Sequence, residues 1–217
     1  MIELLFADPL RFFQELILLV PAFLVAVTVH ELAHGVVADR LGDPTARLQG
    51  RLTLNPLPHI DPLGAIAFLL AGFGWAKPVP VNAHSLQHPR RDMAWIAAAG
   101  PLANFVVAFL GLVALVLAQR AIELPFLSEP IDGMLRAIFR FNVALGIFNL
   151  IPLPPLDGGH FLPYFLPRRS WARFHQIEQY GPMILLLLVM SGATRYIVGP
   201  VFQLVVSFYL FLIRLIF

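Results

Sequence analysis

Apolar residues run in long blocks, not in strict alternation. Residues 16–38, 93–118, 134–151, 181–197 and 199–217 each read as a helix dominated by aliphatic and aromatic side chains. A bilayer core about 30 Å thick takes about 20 helical residues to cross. The block at 63–75 falls short of that length and reads as a segment that is re-entrant or buried against the bundle. Between the first two long blocks, Leu48, Leu52 and Leu54 alternate partly with polar residues around Gly50. That pattern predicts short strands over 45–55, a small β-hairpin next to the polar cluster closing the first block. Such a hairpin is either a template for an extended substrate or an ordinary interfacial turn. The pattern as a whole predicts an all-α polytopic membrane protein with about five transmembrane helices, the re-entrant segment and that hairpin.

Composition sharpens this picture. Of 217 residues, 59% are hydrophobic and 13% charged, where a soluble domain carries about a quarter charged. A net charge of +2, scattered along the chain, excludes a nucleic-acid footprint. With no cysteine there is no disulfide, thiolate ligand or thiol nucleophile, so any metal must be held by histidine and carboxylate. Many of the 19 prolines sit where a span must break, as irregular backbone lining a cavity requires. The first apolar block ends in a polar motif, so it is not read as a cleavable signal. Neither an internal repeat nor an appended soluble domain is visible. Residues 1–217 read as one transmembrane domain, with a core at about 16–160 and C-terminal helices at about 176–217.

The polar motif is His30-Glu31-Leu32-Ala33-His34. On a helix, a spacing of four stacks both imidazoles on one face, where two nitrogens can grip one ion. Glu31 lies one position round, in reach of a water but badly placed as a third ligand. The chemistry usual for this pattern is zinc-dependent hydrolysis. The alternative is a polar helix face with both histidines bonded to backbone, although burying such residues in apolar sequence is costly. Asp157 follows Pro152, Pro154 and Pro155 and precedes Gly158-Gly159, glycines that let the chain turn tightly. It is either the cap of a membrane-exit turn or the carboxylate that completes the site. If 63–75 does not cross, His30, His34 and Asp157 all reach the same side. Basic residues favour that arrangement: six lie in 40–92 and three in 158–177, against one in 119–132. By the positive-inside rule the site faces the cytoplasm of a multi-pass cell-membrane protein, and the N-terminus lies outside.

The combination of His30, Glu31 and His34 with Asn149, Pro152, Pro154, Leu156, Asp157 and Gly158 resembles the site-2 protease family of intramembrane zinc metalloproteases. Gly100 and Asn104 also resemble a G-x-x-x-N element of that family. The likeness covers about residues 16–160, in a compact form without the PDZ or CBS domains of many members. The resemblance implies one Zn2+ per chain held by His30, His34 and Asp157. It makes Glu31 the general base, then the acid to the leaving amine. Asn149 would steady the substrate or the oxyanion, and Asn104 has a similar or a structural role. The implied substrate is a transmembrane-helix protein in the lipid bilayer, unwound locally before cleavage.

His59, between prolines and beside Asp61, is a candidate for oxyanion or supporting contacts, or else a loop histidine. His160 is a weak alternative ligand. His84, His88 and His175 read as interfacial loop residues, and Arg90-Arg91 and Arg168-Arg169 as anionic-lipid anchors. The competing function is a membrane transporter or metal-ion carrier using His30, His34 and Asp157 as an ion site. A different metalloprotease type would take its third ligand from a late glutamate, for which only Glu178 qualifies. The sequence carries no signal for oligomeric state.

Overall fold

The computed structural model describes residues 2–72, 74–121, 125–167 and 178–217. Glu123, Arg168, Arg169, Arg173 and His175 lie outside them. Helix α1 spans Ile2–Ala7 and α2 spans Pro9–Arg40. Short α3, Thr45–Leu48, precedes α4, Pro62–Ala71. Then come α5, Pro89–Ala121, α6, Pro125–Asn149, and α7, Asp157–Phe165. Helices α8, Gly181–Met190, and α9, Thr194–Ile216, close the chain. Four of these helices open on proline, whose missing N–H costs nothing in a first turn. Asp8 caps α2 by accepting from Arg11 N–H at 3.0 Å, and Asp61 caps α4 by accepting from Gly64 N–H at 2.9 Å.

Three helices, α2, α5 and α9, are long and apolar enough to cross a membrane. Exposed Ile17, Leu102, Val106, Leu204 and Phe208 give them outward faces suited to lipid. The expected count of five is not reached by these elements. The block at 134–151 belongs to a longer helix whose first two thirds carry Glu129, Asp132, Arg136 and Arg140. The block at 181–197 contains only the ten residues of α8 before Gly192, at φ +70°, breaks it.

Helices α2, α5 and α6 pack on one another, with α7 on α5 and α9 on α6. Ala108, Leu112 and Leu115 of α5 meet Phe139, Val143 and Ile147 of α6, and Tyr209 and Ile213 of α9 close that cluster. The Tyr209 hydroxyl donates to Phe105 O at 2.9 Å, so the one polar atom entering this core is satisfied.

The expected hairpin at 45–55 is absent: Thr45–Leu48 is helical and no strand forms. Asp43 decides this locally. Its carboxylate accepts the Thr45 N–H at 3.1 Å and the Thr45 hydroxyl, which starts a helical turn behind Pro44. Leu48 and Leu54, whose spacing suggested a strand, are exposed at 80% and 70%. Among the described residues the only β pairing is an isolated antiparallel bridge, Ile60 to Ala76. That bridge, with Lys77 N–H donating to His59 O at 2.8 Å, brings both ends of the α4 segment together. At ten residues α4 is about 15 Å long, half of a bilayer core.

Asp43 also accepts Asn82 N–H at 2.6 Å, joining the end of α2 to the chain after α4. Burial by itself would raise its pKa. The bonds from the Thr45 hydroxyl, Asn82 N–H and Thr45 N–H outweigh burial and hold the carboxyl below its usual range. Its stabilisation is therefore complete above the unfolded value of about 3.9 and is lost as pH falls through the lower folded value. Asp43→Asn should cost about 1–3 kcal/mol of unfolding free energy at pH 7. Denaturant unfolding in detergent should show that gap closing below pH ~4.

Candidate metal centre

His30 and His34 project from the same face of α2, rings edge to face with centroids 4.6 Å apart. Asp157, the first residue of α7, reaches both: Oδ2 lies 3.1 Å from His30 Nε2 and Oδ1 lies 3.3 Å from His34 Nε2. The loop from α6 brings it there with the backbone tightly folded. A Cβ on Gly158 would lie 2.5 Å from Leu150 O, and one on Gly159 would lie 2.5 Å from Pro154 N. Neither glycine has positive φ. The Gly-Gly pair serves close approach, not a left-handed turn.

The outer side of each imidazole settles its tautomer. His34 Nδ1 lies 2.7 Å from Ile96 O, an atom that can only accept. His30 Nδ1 lies 2.7 Å from Asn104 Oδ1. Asn104 must face it with oxygen, because its Nδ2 donates to Ala26 O at 2.9 Å and to Asn142 Oδ1 at 2.8 Å. Each Nδ1 therefore carries the proton, and each Nε2 turns a lone pair inward. The two Nε2 atoms stand 3.1 Å apart, and Asp157 Oδ2 is buried without a hydrogen bond. Two lone pairs and a carboxylate converge with no donor between them, an arrangement that calls for a cation.

The three ligand atoms lie within 4.8 Å of one another and can hold one metal ion. Bonds of about 2.0–2.1 Å at tetrahedral angles place neighbouring ligand atoms about 3.3 Å apart. The observed 3.1–3.3 Å separations fit that demand. Nitrogen and carboxylate donors suit zinc.

Glu31, on the adjacent edge of α2, is buried, and its Oε2 accepts Val79 N–H at 2.8 Å. Val79 sits in an extended stretch after α4. Pro78 and Pro80 flank it, so its N–H is the only main-chain donor in that tripeptide. Arg51, itself buried, pins the stretch by donating from Nη2 to Lys77 O at 2.7 Å and from Nη1 to Pro78 O at 3.2 Å.

Gly100 and Asn104 stand one turn apart on α5, facing this centre. Asn104 grips His30 and also the carbonyl four residues before it. Asn149, at the end of α6, donates to Leu145 O of its own helix at 3.1 Å and has no recorded bond to the ligand group. His59 is fully buried in the loop before α4, where Nε2 lies 3.0 Å from Thr53 O. His160 is exposed. Sequence reasoning missed Asn142, Arg51 and Asp43. Asn142 had the clearest signal, a lone amide between Phe141 and Val143 in an apolar helix.

At Gly100 a Cβ would fall against His34 Nε2, 2.6 Å from His34 Cε1 and 2.7 Å from His30 Cε1. Gly100→Ala should leave helix content intact and weaken zinc binding about tenfold, from about 1–3 kcal/mol of overpacking. Zinc titration of the purified chain against a competing chelator checks this.

Comparison with known proteins reaches the same chemistry. The profile of peptidase family M50 matches residues 18–126 and 127–191. "Putative zinc metalloprotease YwhC" of Bacillus subtilis (strain 168) is 42% identical over 184 residues, covering 84% of each chain. "Putative zinc metalloprotease Rip2" of Mycolicibacterium smegmatis is 31% identical over 192 residues, 85% of this chain and 71% of that one. "Zinc metalloprotease MJ0392" of Methanocaldococcus jannaschii is 29% identical over 67% of this chain, which spans 33% of its length. No solved structure matches. With the profile covering most of the chain and the ligand trio assembled in space, the protein belongs to peptidase family M50, the site-2 protease family of zinc metalloproteases.

Proposed function

We propose that this chain is an intramembrane endopeptidase that cuts transmembrane-helix proteins, with His30, His34 and Asp157 as zinc ligands and Glu31 as general base. The observation that carries the reading is the convergence of three acceptors beside Glu31, a carboxylate no ligand set of that geometry requires. Zinc in that position supplies Lewis acidity, bringing the pKa of water towards neutrality.

The remaining work falls to side chains. The Val79 N–H holds Glu31 Oε2, leaving the other oxygen free to accept a proton from water as the new C–O bond forms. That proton passes to the amine nitrogen as the C–N bond breaks. Asn149 keeps one amide N–H beyond its bond to Leu145 O, and we assign it to the scissile carbonyl oxygen. Asn104 orients His30, and His59 supports the loop through Thr53 O; neither is given a substrate contact.

We assign α6 to the membrane as well, since it packs between α2 and α9 and carries no charged residue after Arg140. With α4 turning back, the end of α2 that carries His30 and His34 and the end of α6 that leads to Asp157 share one side. The excess of basic residues there supports a cytoplasmic position for that side. Residues 1–217 then act as one catalytic unit. A substrate helix has an apolar place to lie. A cavity of about 570 Å3 opens among α2, α4, α6 and α9, walled by Phe23, Ala26, Phe68, Phe141, Phe148 and Phe202. Ala26 is one turn from His30.

Glu31→Gln should keep its zinc and lose about a thousandfold in cleavage of a transmembrane reporter in liposomes. Retained cleavage would overturn the base assignment, and zinc flux without cleavage in either form would favour an ion carrier. A reporter helix with a Gly/Pro break should be cut several-fold faster than an uninterrupted Leu-rich one, because unwinding must expose the peptide bond. Equal rates would sink the unwinding step.

A further inference from the structure

Asn142 is fully buried at mid-length in α6, between Phe141 and Val143. Both ends of its amide are used. Nδ2 donates to Ile138 O at 2.8 Å, and Oδ1 accepts from Asn104 Nδ2 at 2.8 Å. Ile138 O can only accept, so the Asn142 oxygen has to face Asn104. Asn104 then spends both N–H groups, on Ala26 O and Asn142 Oδ1, and only its oxygen remains for His30 Nδ1.

We propose that Asn142 is a positioning residue for the metal centre, fixing through Asn104 the His30 tautomer that turns the Nε2 lone pair inward. The inference rests on the reading of His30, His34 and Asp157 as metal ligands. Consider the alternative state, with the Asn104 amide turned over. Its NH2 would face His30, the imidazole proton would move to Nε2, and the ligand lone pair would be lost. With Asn142 present, that flip sets the Asn104 oxygen against two acceptors instead of one. Groups beyond a ligand that hold its tautomer typically govern metal affinity this way. The same helix also leads, through the proline loop, to Asp157. Thus α6 delivers one ligand by its chain and orients another by its amide.

An interhelical hydrogen bond that merely glues α5 to α6 would affect stability alone, so the test separates the two. Zinc affinity of the full chain in detergent is measured by chelator competition, with thermal unfolding of the metal-free forms alongside. The set is wild type, Asn142→Leu, Asn142→Ala, Asn142→Asp, Val143→Ala and His30→Ala. Val143 is fully buried next door and touches no polar partner, so it reports packing loss in the same place. Asn142→Leu and Asn142→Ala should bind zinc about tenfold more weakly, near the low end for outer partners of a ligand, and Asn142→Asp should stay within about threefold of wild type. Asp keeps the acceptor that Asn104 needs, and protonated it also donates to Ile138 O. Val143→Ala should lose stability with unchanged affinity. Should Asn142→Leu fail to fold, Asn142→Ala gives the same readout. Wild-type affinity in the Leu and Ala variants would overturn the proposal, as would an Asp variant no better than Leu. If His30→Ala binds zinc as wild type does, the ligand assignment itself falls, which is a distinct result.

Discussion

Everything in this protein turns on protons being kept out of one small space. Two imidazole nitrogens and a carboxylate approach within about 3 Å, all as acceptors, and nothing donates between them. That convergence is repulsive without a cation. It holds because Ile96 O and Asn104 Oδ1 draw the histidine protons to the far side of each ring, and because Gly100 offers no side chain to block the near side. Both constraints come from α5, which carries none of the three converging residues. The second long helix is in effect the mould in which the two imidazoles of the first are cast.

Polar groups in an apolar bundle must satisfy one another, and here they do so in a line running across three helices. Asn142 of α6 answers Asn104 of α5, which answers His30 and Ala26 of α2. Each link is a neutral hydrogen bond of modest net value, but leaving any member unpaired while buried costs more than the bond gains. Helix packing and ligand orientation are thus enforced by the same atoms. A second set of contacts runs outside the helices. Asp43 and Arg51 tie the chain after α4 to the end of α2, which is how Val79 comes to Glu31.

The three residues that could hold a metal ion were legible in the sequence because their signals are local. His30 and His34 need only a helix, and Asp157 announces itself through prolines and glycines. The short α4 was legible from length, since too few apolar residues exist to cross. The 45–55 stretch misled because Leu48, Leu52 and Leu54 mimic the alternation of a strand. Leu48 and Leu54 are exposed while Leu52 is half-buried, and a single carboxylate at Asp43 sets the local fold instead. Gly158 and Gly159 were legible as residues that let the chain turn tightly, and the crowding against Leu150 and Pro154 is the close approach that turn demands. Asn142 escaped because a lone amide among apolar residues signals a buried polar contact without naming its partner; only the residue across the helix interface gives it meaning.

The Pro78-Val79-Pro80 stretch has one more consequence. An extended chain normally presents a donor at every residue, and each unmatched donor must find water or another strand. Here two of three donors are removed covalently and the third is already committed to Glu31. The stretch is thus a peptide edge of one polarity: it can receive hydrogen bonds along its carbonyls and can give none. Such an edge pays no desolvation penalty for idle N–H groups. It is also closed to the strand-on-strand mispairing that threatens bare edges, which makes it a safe way to lay backbone beside a buried carboxylate.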